Sequence, residues 1–268
     1  MNAAAGAPTS LISASFAADP YLDTAVSAAL LRQVARGELP PTVRLNRTGP
    51  ILAFGKLDRL RPGYRRAVEL AGAAGYAPLE RIAGGHAAVF HPGTVSLSRA
   101  VRTPGAAGAY PGTRDRFASL AGLITDALAA VGIDARIGAA PGEYCPGDFS
   151  VNARGAVKLA GIGQRVVAGG AHVGAVIVVR GAAAINDVLG PVNAALELDW
   201  DPAATGSIAR ELGEDDRPRS PEEPDPLIDA VIAALRAGLA RDLDLEPGDP
   251  SPSTLELAER TKDDYRPR

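Results

Sequence analysis

The stretch Glu143-Tyr-Cys-Pro-Gly-Asp-Phe-Ser-Val-Asn-Ala-Arg-Gly-Ala-Val-Lys158-Leu-Ala-Gly-Ile-Gly-Gln-Arg165 places the only cysteine, Cys145, thirteen residues before Lys158. Lys158 is one of three lysines in a chain whose other 25 basic residues are arginines (28 minus 3). An ammonium kept in such a composition indicates a need for a compact charge or a titratable amine, which a planar guanidinium does not supply. The residues alone leave two interpretations open: a functional Cys–Lys pair, or an ordinary strand lysine and a small buried cysteine.

Helix and strand patterns alternate around this stretch. Residues 157–167 and 173–180 read as adjacent strands, and the second is the nearly continuous apolar run of a central strand. Further strands are expected at 42–47, 51–54, 78–82, 87–90, 94–101, 135–137 and 149–152, and helices after Asp19-Pro20 and at 63–74, 113–131 and 226–243. Because short turns join several strand pairs, the sequence predicts an α+β fold with a mixed, largely antiparallel sheet flanked by helices.

The composition changes after Gly206. We expect a catalytic domain over residues 1–210 and a flexible, acidic, proline-rich connector over 211–226. Residues 227–268 should hold an amphipathic helix and then a poorly ordered tail beyond Glu246.

The overall composition narrows the functional classes. A net charge of −3 and an aromatic content of 4% do not indicate a nucleic-acid-binding protein. One cysteine and three scattered histidines give no metal-site pattern. No apolar run is long enough for a membrane span, and the first arginine is Arg32, so the N-terminus lacks a basic signal region. We therefore expect a cytoplasmic protein without a resident metal.

Three stretches together resemble the lipoate–protein ligase and octanoyltransferase family. The first is Arg81-Ile-Ala-Gly-Gly-His-Ala-Ala-Val-Phe-His-Pro-Gly-Thr-Val-Ser96, an arginine and a glycine-rich turn before a buried strand. The second, Val157-Lys-Leu-Ala-Gly-Ile-Gly-Gln-Arg165, is similar to the family's lysine motif, and the third is the strand at 172–179. The resemblance implies a biotin/lipoyl protein ligase-like catalytic domain.

The resemblance also implies the site residues. Cys145 and Lys158 are the expected catalytic residues. The expected substrate-binding residues are Arg81, Gly84, Gly85, His86, Asp148, Gly161 and Gln164. Two positions depart from the family pattern, because Ala83 stands where Ser or Thr is usual and His86 where glycine is common.

The segment Tyr144-Cys-Pro-Gly147 resembles the branch that moves octanoyl groups through an acyl-cysteine. A thiolate is a strong nucleophile and a thioester is a suitable intermediate for acyl transfer to an amine. The Pro146-Gly147 turn could direct main-chain N–H groups at an oxyanion. Lys158 is the candidate for the cation nearest the thiol, and could lower the thiol pKa, hold the acyl carbonyl or shuttle protons.

Two alternatives to this transferase remain open. One is an ATP- and Mg²⁺-dependent lipoate–protein ligase, in which Lys158 stabilises an acyl-adenylate and Cys145 is incidental; the transferase would need no cofactor. The other is a catalytically silent homologue that binds the acyl group or carrier.

The implied partners are lipoyl carrier proteins, namely the glycine-cleavage carrier and the lipoyl domains of oxo-acid dehydrogenase complexes. The basic stretch from Lys56 to Arg66 is a candidate surface for an acidic carrier.

Overall fold

The computed structural model describes residues 8–103, 112–220 and 223–268. Its strands are β1 (Thr9–Ile12), β2 (Thr42–Asn46), β3 (Ile51–Phe54), β4 (Ala77–Glu80), β5 (Ala88–Phe90), β6 (Thr94–Arg102), β7 (Ala135–Ile137), β8 (Val151–Ala153), β9 (Val157–Val167), β10 (Gly170–Val178) and β11 (Leu245–Gly248). Its α-helices are α1 (Pro20–Arg36), α2 (Tyr64–Ala73), α3 (Thr113–Ala130), α4 (Ala182–Ala195), α5 (Ile208–Glu211), α6 (Pro226–Asp242) and α7 (Pro252–Thr261).

The strands form two sheets. The main sheet has the order β11-β1-β2-β6-β10-β9-β8-β7, and a small sheet has the order β4-β3-β5. The pairs β11–β1, β1–β2 and β3–β4 are parallel, and the other described pairs are antiparallel. The predicted α+β class with a mixed, largely antiparallel sheet flanked by helices is therefore confirmed.

The two faces of the main sheet differ in character. Leu97, Val173 and Ile177 belong to a buried apolar cluster that α3 and α6 complete, and each such side chain contributes about 1.5–3 kcal/mol on burial. Strand side chains alternate between faces, so the opposite face carries the residues between these. At one level of that face Arg44 pairs with Ser98, which pairs with Gly174. Polar and small residues there leave room for a cavity.

Helix capping explains where two predicted helices begin. The Asp19 carboxylate accepts a hydrogen bond from the Leu22 N–H at 3.1 Å, with proline in the first turn of α1. Gly37 ends this helix with a φ of 76°, a left-handed conformation that glycine adopts readily. Asp225 caps α6 in the same way as Asp19 caps α1.

A β-bulge in β9 turns Lys158 toward the cavity. Asn152 pairs with Lys158 while Val151 pairs with Ala160, so Leu159 is the extra residue. Leu159 and Ala160 both enter the apolar cluster beneath α3 and α6. Lys158 thus shares the cavity face with Gly161, where an added Cβ would lie 3.2 Å from the Lys158 Cε.

The C-terminal tail corrects one expectation. Residues beyond Glu246 were expected to be poorly ordered, but β11 pairs with β1 and α7 packs on α1. Ala258 is fully buried against Val26 and Leu30, and the Thr254 hydroxyl donates to Gln33 at 2.7 Å. The polar, proline-containing composition suggested disorder, although Ser251-Pro252 is a helix start.

The expected connector has no helix or strand at residues 214–220 and 223–225. Buried Arg180 anchors it, because its Nε lies 2.9 Å from Asp225 and its Nη2 lies 2.9 Å from Glu214. The flexibility of the connector and the domain limits at 210 and 226 stay predictions.

Neither a membrane-spanning helix nor a metal-binding cluster is found in residues 8–103, 112–220 and 223–268. No helix there combines the length and the apolarity needed to cross a bilayer. No group of three or more His, Cys, Asp or Glu side chains there is placed to hold a metal ion. The cytoplasmic location stays a prediction.

Candidate active site

A cavity of about 770 Å³ lies between the polar face of the main sheet, the turn at 81–85, the loop at 144–150 and α1. Eight of the nine sequence-predicted site residues line it. The ninth, His86, does not line it, but its main-chain N–H contacts the Cys145 sulfur. Those lining it are Arg81, Gly84, Gly85, Cys145, Asp148, Lys158, Gly161 and Gln164.

The Cys145 turn is closed by a buried carboxylate. Cys145 has a φ of 44°, which is uncommon outside glycine. On its N-terminal side, Glu143 accepts hydrogen bonds from the Ala140 N–H at 2.9 Å and from the Ser150 hydroxyl at 2.5 Å. Both ends of the loop are thereby tied to one side chain, which holds the cysteine in this conformation.

Lys158, on strand β9, stabilises the same loop. Its Nζ donates to the Glu143 carboxylate at 3.1 Å and to the carbonyls of Tyr144 and Cys145 at 2.9 and 2.8 Å. The side chain is only 2% exposed, and an ammonium has three donors, so these partners use all of them. Nζ also lies 4.7 Å from the centre of the Tyr144 ring. Burial raises the pKa of Tyr144 far above its ordinary value, which keeps the phenol neutral.

A different cation contacts the sulfur. The Arg81 Nη2 lies 3.7 Å from the Cys145 Sγ, and the His86 main-chain N–H donates to Sγ at 3.2 Å. The sulfur thus lies within contact distance of a guanidinium and accepts a hydrogen bond from a main-chain N–H. The expectation that Lys158 is the cation nearest the thiol is therefore wrong, because its three donors are turned to the loop carbonyls and Glu143.

Gly85 allows Arg81 and the Cys145 sulfur to come close to each other. It has a φ of 98°, and a Cβ there would lie 2.2 Å from the Arg81 guanidinium and 3.1 Å from the Cys145 Sγ. Gly55 is equally constrained, since its Cβ would lie 1.6 Å from the Gly85 carbonyl oxygen. The turn after β4 is thus pressed against the turn after β3, and only glycine fits at the two contact points.

His86 forms a pair with Asp58 at the rim of the cavity. Its Nδ1 lies 2.6 Å from Asp58 Oδ1, and Asp58 Oδ2 accepts from the Gly55 N–H at 2.8 Å. Asp58 is fully buried, whereas the His86 side chain is 26% exposed. A carboxylate only accepts hydrogen bonds, so Nδ1 carries the hydrogen in this pair.

The remaining predicted residues lie farther from the sulfur. Asp148 is exposed at the rim. The Gln164 side chain accepts from the Arg116 Nε at 2.6 Å, which ties β9 to the start of α3. His172 also lines the cavity, away from the Cys145 turn. His91 is not among the lining residues, and its Nδ1 accepts from the Gly93 N–H.

Sequence reasoning missed two residues of the site, Glu143 and Asp58. Glu143 stands within the stretch that drew attention to Cys145, but its role depends on reaching Ala140, Ser150 and Lys158 together. Asp58 is the single acid among the five basic residues from Lys56 to Arg66, a departure that could have marked it as a paired group.

The sequence from 19 to 203 matches the model of the lipoyl protein ligase A/B catalytic domain. The chain belongs to this family. Among its curated relatives, the octanoyl-[GcvH]:protein N-octanoyltransferase of Geobacillus kaustophilus (strain HTA426) is 30% identical over 176 residues, 63% of this chain and 56% of that protein. The enzyme of the same name from Anoxybacillus flavithermus (strain DSM 21510 / WK1) is 30% identical over 162 residues, 58% of this chain and 54% of its own. The match thus spans little more than half the length of either relative.

Solved structures of this family share the fold. A lipoate-protein ligase A bound with ATP superposes with a TM-score of 0.71 at 15% identity, over 96% of this chain and 94% of the other. A bi-partite lipoate protein ligase from Thermoplasma acidophilum, described with its E2 lipoyl domain, gives 0.65 at 16% identity, over 96% and 92%. The expected lipoyl ligase-like catalytic fold is confirmed.

Proposed function

We propose that the protein is an acyltransferase that moves an octanoyl or lipoyl group onto a lysine of a lipoyl carrier domain through an acyl thioester on Cys145. The observation that carries this function is the surrounding of Sγ, which has a guanidinium at 3.7 Å and a main-chain N–H donor at 3.2 Å at the wall of a large cavity. The two curated relatives carry the matching activity in their names.

The first step would transfer the acyl group to sulfur. The Cys145 thiolate attacks the carbonyl carbon of the acyl-lysine amide on the donor carrier, so that a C–S bond forms and the C–N bond breaks. The departing amine takes up a proton. Arg81 and the His86 N–H, which contact the sulfur, would stabilise its charge before attack and again when the thiolate leaves.

The second step would reverse these events on another carrier. The acceptor lysine amine attacks the thioester, the C–N bond forms, and the C–S bond breaks to restore the thiolate. The amine must lose a proton in this step. His86 is the candidate acceptor, since Asp58 fixes its Nδ1 and leaves Nε2 open at the exposed rim.

Lys158 is then a positioning residue for the nucleophile. Its Nζ contacts the carbonyl of Cys145, not the sulfur, and it holds the turn that gives Cys145 its positive φ. A permanently charged guanidinium is too large for a site that is 2% exposed and closed by three acceptors.

The surface beside the rim has the chemistry of a carrier-docking site. Leu57 and Leu60 are 53% and 80% exposed and lie among Lys56, Arg59 and Asp58, and Asp58 itself contacts His86. Apolar anchors with basic neighbours suit an acidic carrier domain. Arg61 is not available for this, because its guanidinium donates to the carbonyls of residues 196 and 197.

Nucleotide dependence tests the proposal against the ATP-dependent ligase. Purified protein is mixed with octanoylated carrier and an unmodified lipoyl domain, with and without ATP and Mg²⁺, and acyl transfer is followed by mass. We expect transfer without nucleotide and no use of free octanoate. Transfer only from the free acid with ATP and Mg²⁺ would overturn the proposal in favour of the ligase, and binding without transfer would favour the silent homologue.

A further inference from the structure

Trp200, the only tryptophan of the chain, packs against the loop that carries Cys145. Its ring stands perpendicular to that of Tyr144, with the centroids 6.1 Å apart and an angle of 85° between the planes. This edge-to-face arrangement is one that aromatic pairs favour. Trp200 does not line the cavity, so any effect it has on the reaction must pass through the loop.

Tyr144 connects Trp200 to both expected catalytic residues. The Lys158 Nζ lies 4.7 Å from the centre of the Tyr144 ring and donates to the Tyr144 carbonyl at 2.9 Å. That carbonyl belongs to the peptide group that leads into Cys145, whose φ is 44°. Because Tyr144 is only 5% exposed, a shift of its ring would displace the peptide group and the ammonium that contact it.

The segment that carries Trp200 is also tied to the site through its main chain. The Asp201 N–H donates to the Gly142 carbonyl at 2.8 Å, and a Cβ at Gly142 would lie 2.9 Å from the Asp201 Cβ. At the other end of the segment, the Gly206 N–H donates to the Lys158 carbonyl at 3.0 Å. Residues 200–206 therefore contact the loop and the lysine strand together.

We propose that Trp200 is a positioning residue for acyl transfer, because it fixes Tyr144 and thereby holds the Cys145 turn and Lys158 in one geometry. This deepens the proposed function and rests on it, since it adds a residue to the machinery that places the sulfur. A nucleophile held in a productive geometry reacts faster. Substitution of Trp200 should therefore slow the chemical steps and leave the binding of the carrier unchanged.

Two variants test the ring of Trp200. Trp200→Leu keeps an apolar side chain but removes the ring, whereas Trp200→Phe keeps a ring that can meet Tyr144 edge to face. Transfer from octanoylated carrier to a lipoyl domain gives kcat and KM. We expect kcat to fall about tenfold in Trp200→Leu and to stay within about threefold of wild type in Trp200→Phe. The KM for each carrier should not change in either variant.

Amide hydrogen exchange reports on the loop without any need for activity. The Glu143 N–H donates to the Ala140 carbonyl at 3.1 Å, and the Ser150 N–H donates to the Gly147 carbonyl at 2.9 Å. In Trp200→Leu these two amides should exchange about tenfold faster, because the loop opens more often. The amides of β1, on the far side of the main sheet, should exchange as in wild type.

Tyr76→Leu is the matched control. Tyr76 is also a half-buried aromatic residue packed against the apolar cluster that contains Tyr144, but it lies between α2 and β4 and does not line the cavity. Its substitution removes a ring from the same cluster. It should leave kcat and the exchange of the Glu143 and Ser150 amides as in wild type.

The outcomes separate this proposal from the proposed function. A wild-type kcat, or wild-type exchange of the loop, in Trp200→Leu would overturn the positioning role. Equal changes in Tyr76→Leu, no recovery in Trp200→Phe, or exchange that rises as much in β1 would assign Trp200 to general stability instead. A change in KM alone would make it a carrier contact. If wild type transfers no acyl group, the proposed function fails, and the exchange of the loop alone decides whether Trp200 positions it.

Discussion

The two ends of the cavity treat their buried polar groups in opposite ways. At the outer end, Glu143 and Lys158 use their hydrogen bonds on each other and on the loop that carries Cys145. At the inner end, His172 keeps both ring nitrogens unpaired among the described residues, although Arg44 and Asp23 beside it are paired. The outer end is thus fixed by the protein's own hydrogen bonds, whereas the inner end buries an imidazole that those bonds do not use. A reacting atom needs fixed geometry, which the hydrogen bonds of the outer end supply.

The largest expected effect on stability and transfer comes from breaking the Lys158–Glu143 pair at the outer end. Lys158→Met leaves the Glu143 carboxylate buried without its cation, which should lower the free energy of unfolding by about 3–5 kcal/mol. Combining it with Glu143→Gln removes the stranded charge and should recover much of the stability. Transfer should stay slow in both, because the Cys145 turn loses its tether. Denaturant unfolding and transfer rates check this, and a double variant with wild-type activity would contradict the positioning role.

The pH dependence of stability sharpens the contrast at the inner end. Burial lowers the pKa values of His172 and His91 from 6.5 to about 4, so the unfolded chain binds more protons in this range. Their contribution is complete above pH 6.5 and is lost as the pH falls through 4, by roughly 3 kcal/mol for each histidine. Between pH 7 and 5, the free energy of unfolding should change less steeply with pH in His172→Leu than in wild type. A slope unchanged by this variant would show that His172 is not buried in its neutral form.

Substitutions of the rim pair, His86 and Asp58, should have a smaller effect, which is confined to the rate of transfer. His86→Ala should slow transfer about a hundredfold by removing the proton acceptor, and added imidazole should restore part of the rate. Asp58→Asn should slow it less, since the ring remains but its Nδ1 partner is no longer a pure acceptor. The melting temperature of His86→Ala serves as the folding control. Wild-type rates for His86→Ala would assign the proton transfer elsewhere.

A substitution in the proposed carrier-docking surface should change the transfer rate least. Arg59→Glu places a like charge before an acidic carrier and should slow transfer a few-fold at low salt, with the difference vanishing at high salt. Arg59 also pairs with Glu80 at 3.0 Å in a 51% exposed position, so little stability is at stake. Arg136→Glu is the matched control, because Arg136 lies on the edge strand β7 and Asp134 is its only ion-pair partner among the described residues. Equal rates for both variants at low salt would remove the docking role.

Elements with strong local signals could be predicted from the sequence. The helix after Asp19 has a cap, a proline and an apolar stripe, and β10 is a long apolar run, so both were found close to their observed bounds. Helix α4 was missed, because Gly190 and Pro191 interrupt it and it is held by burial of Ile185 and Leu189. Strand β11 was missed for a similar reason, since only its pairing with β1 makes it a strand.

The sequence motifs could predict residues that line the cavity, but not the contacts between those residues. Cys145, Lys158 and Arg81 stand in recognisable motifs, and all of them line the cavity. Which cation contacts the sulfur depends on contacts across 64 residues for Arg81, and the Asp58–His86 pair spans 28. Hydrogen bonds across such distances are set by tertiary packing, so no local pattern could have assigned them.

Intact-protein mass spectrometry after mixing with octanoylated carrier, without nucleotide or acceptor, tests the acyl-cysteine most directly. Wild type should gain the mass of one octanoyl group, labile to hydroxylamine and located at Cys145 by peptide mapping. Cys145→Ala should gain nothing and lose transfer activity by roughly a thousandfold or more, with little change in melting temperature. An unmodified wild-type protein that still transfers the acyl group, or full activity in Cys145→Ala, would contradict the mechanism.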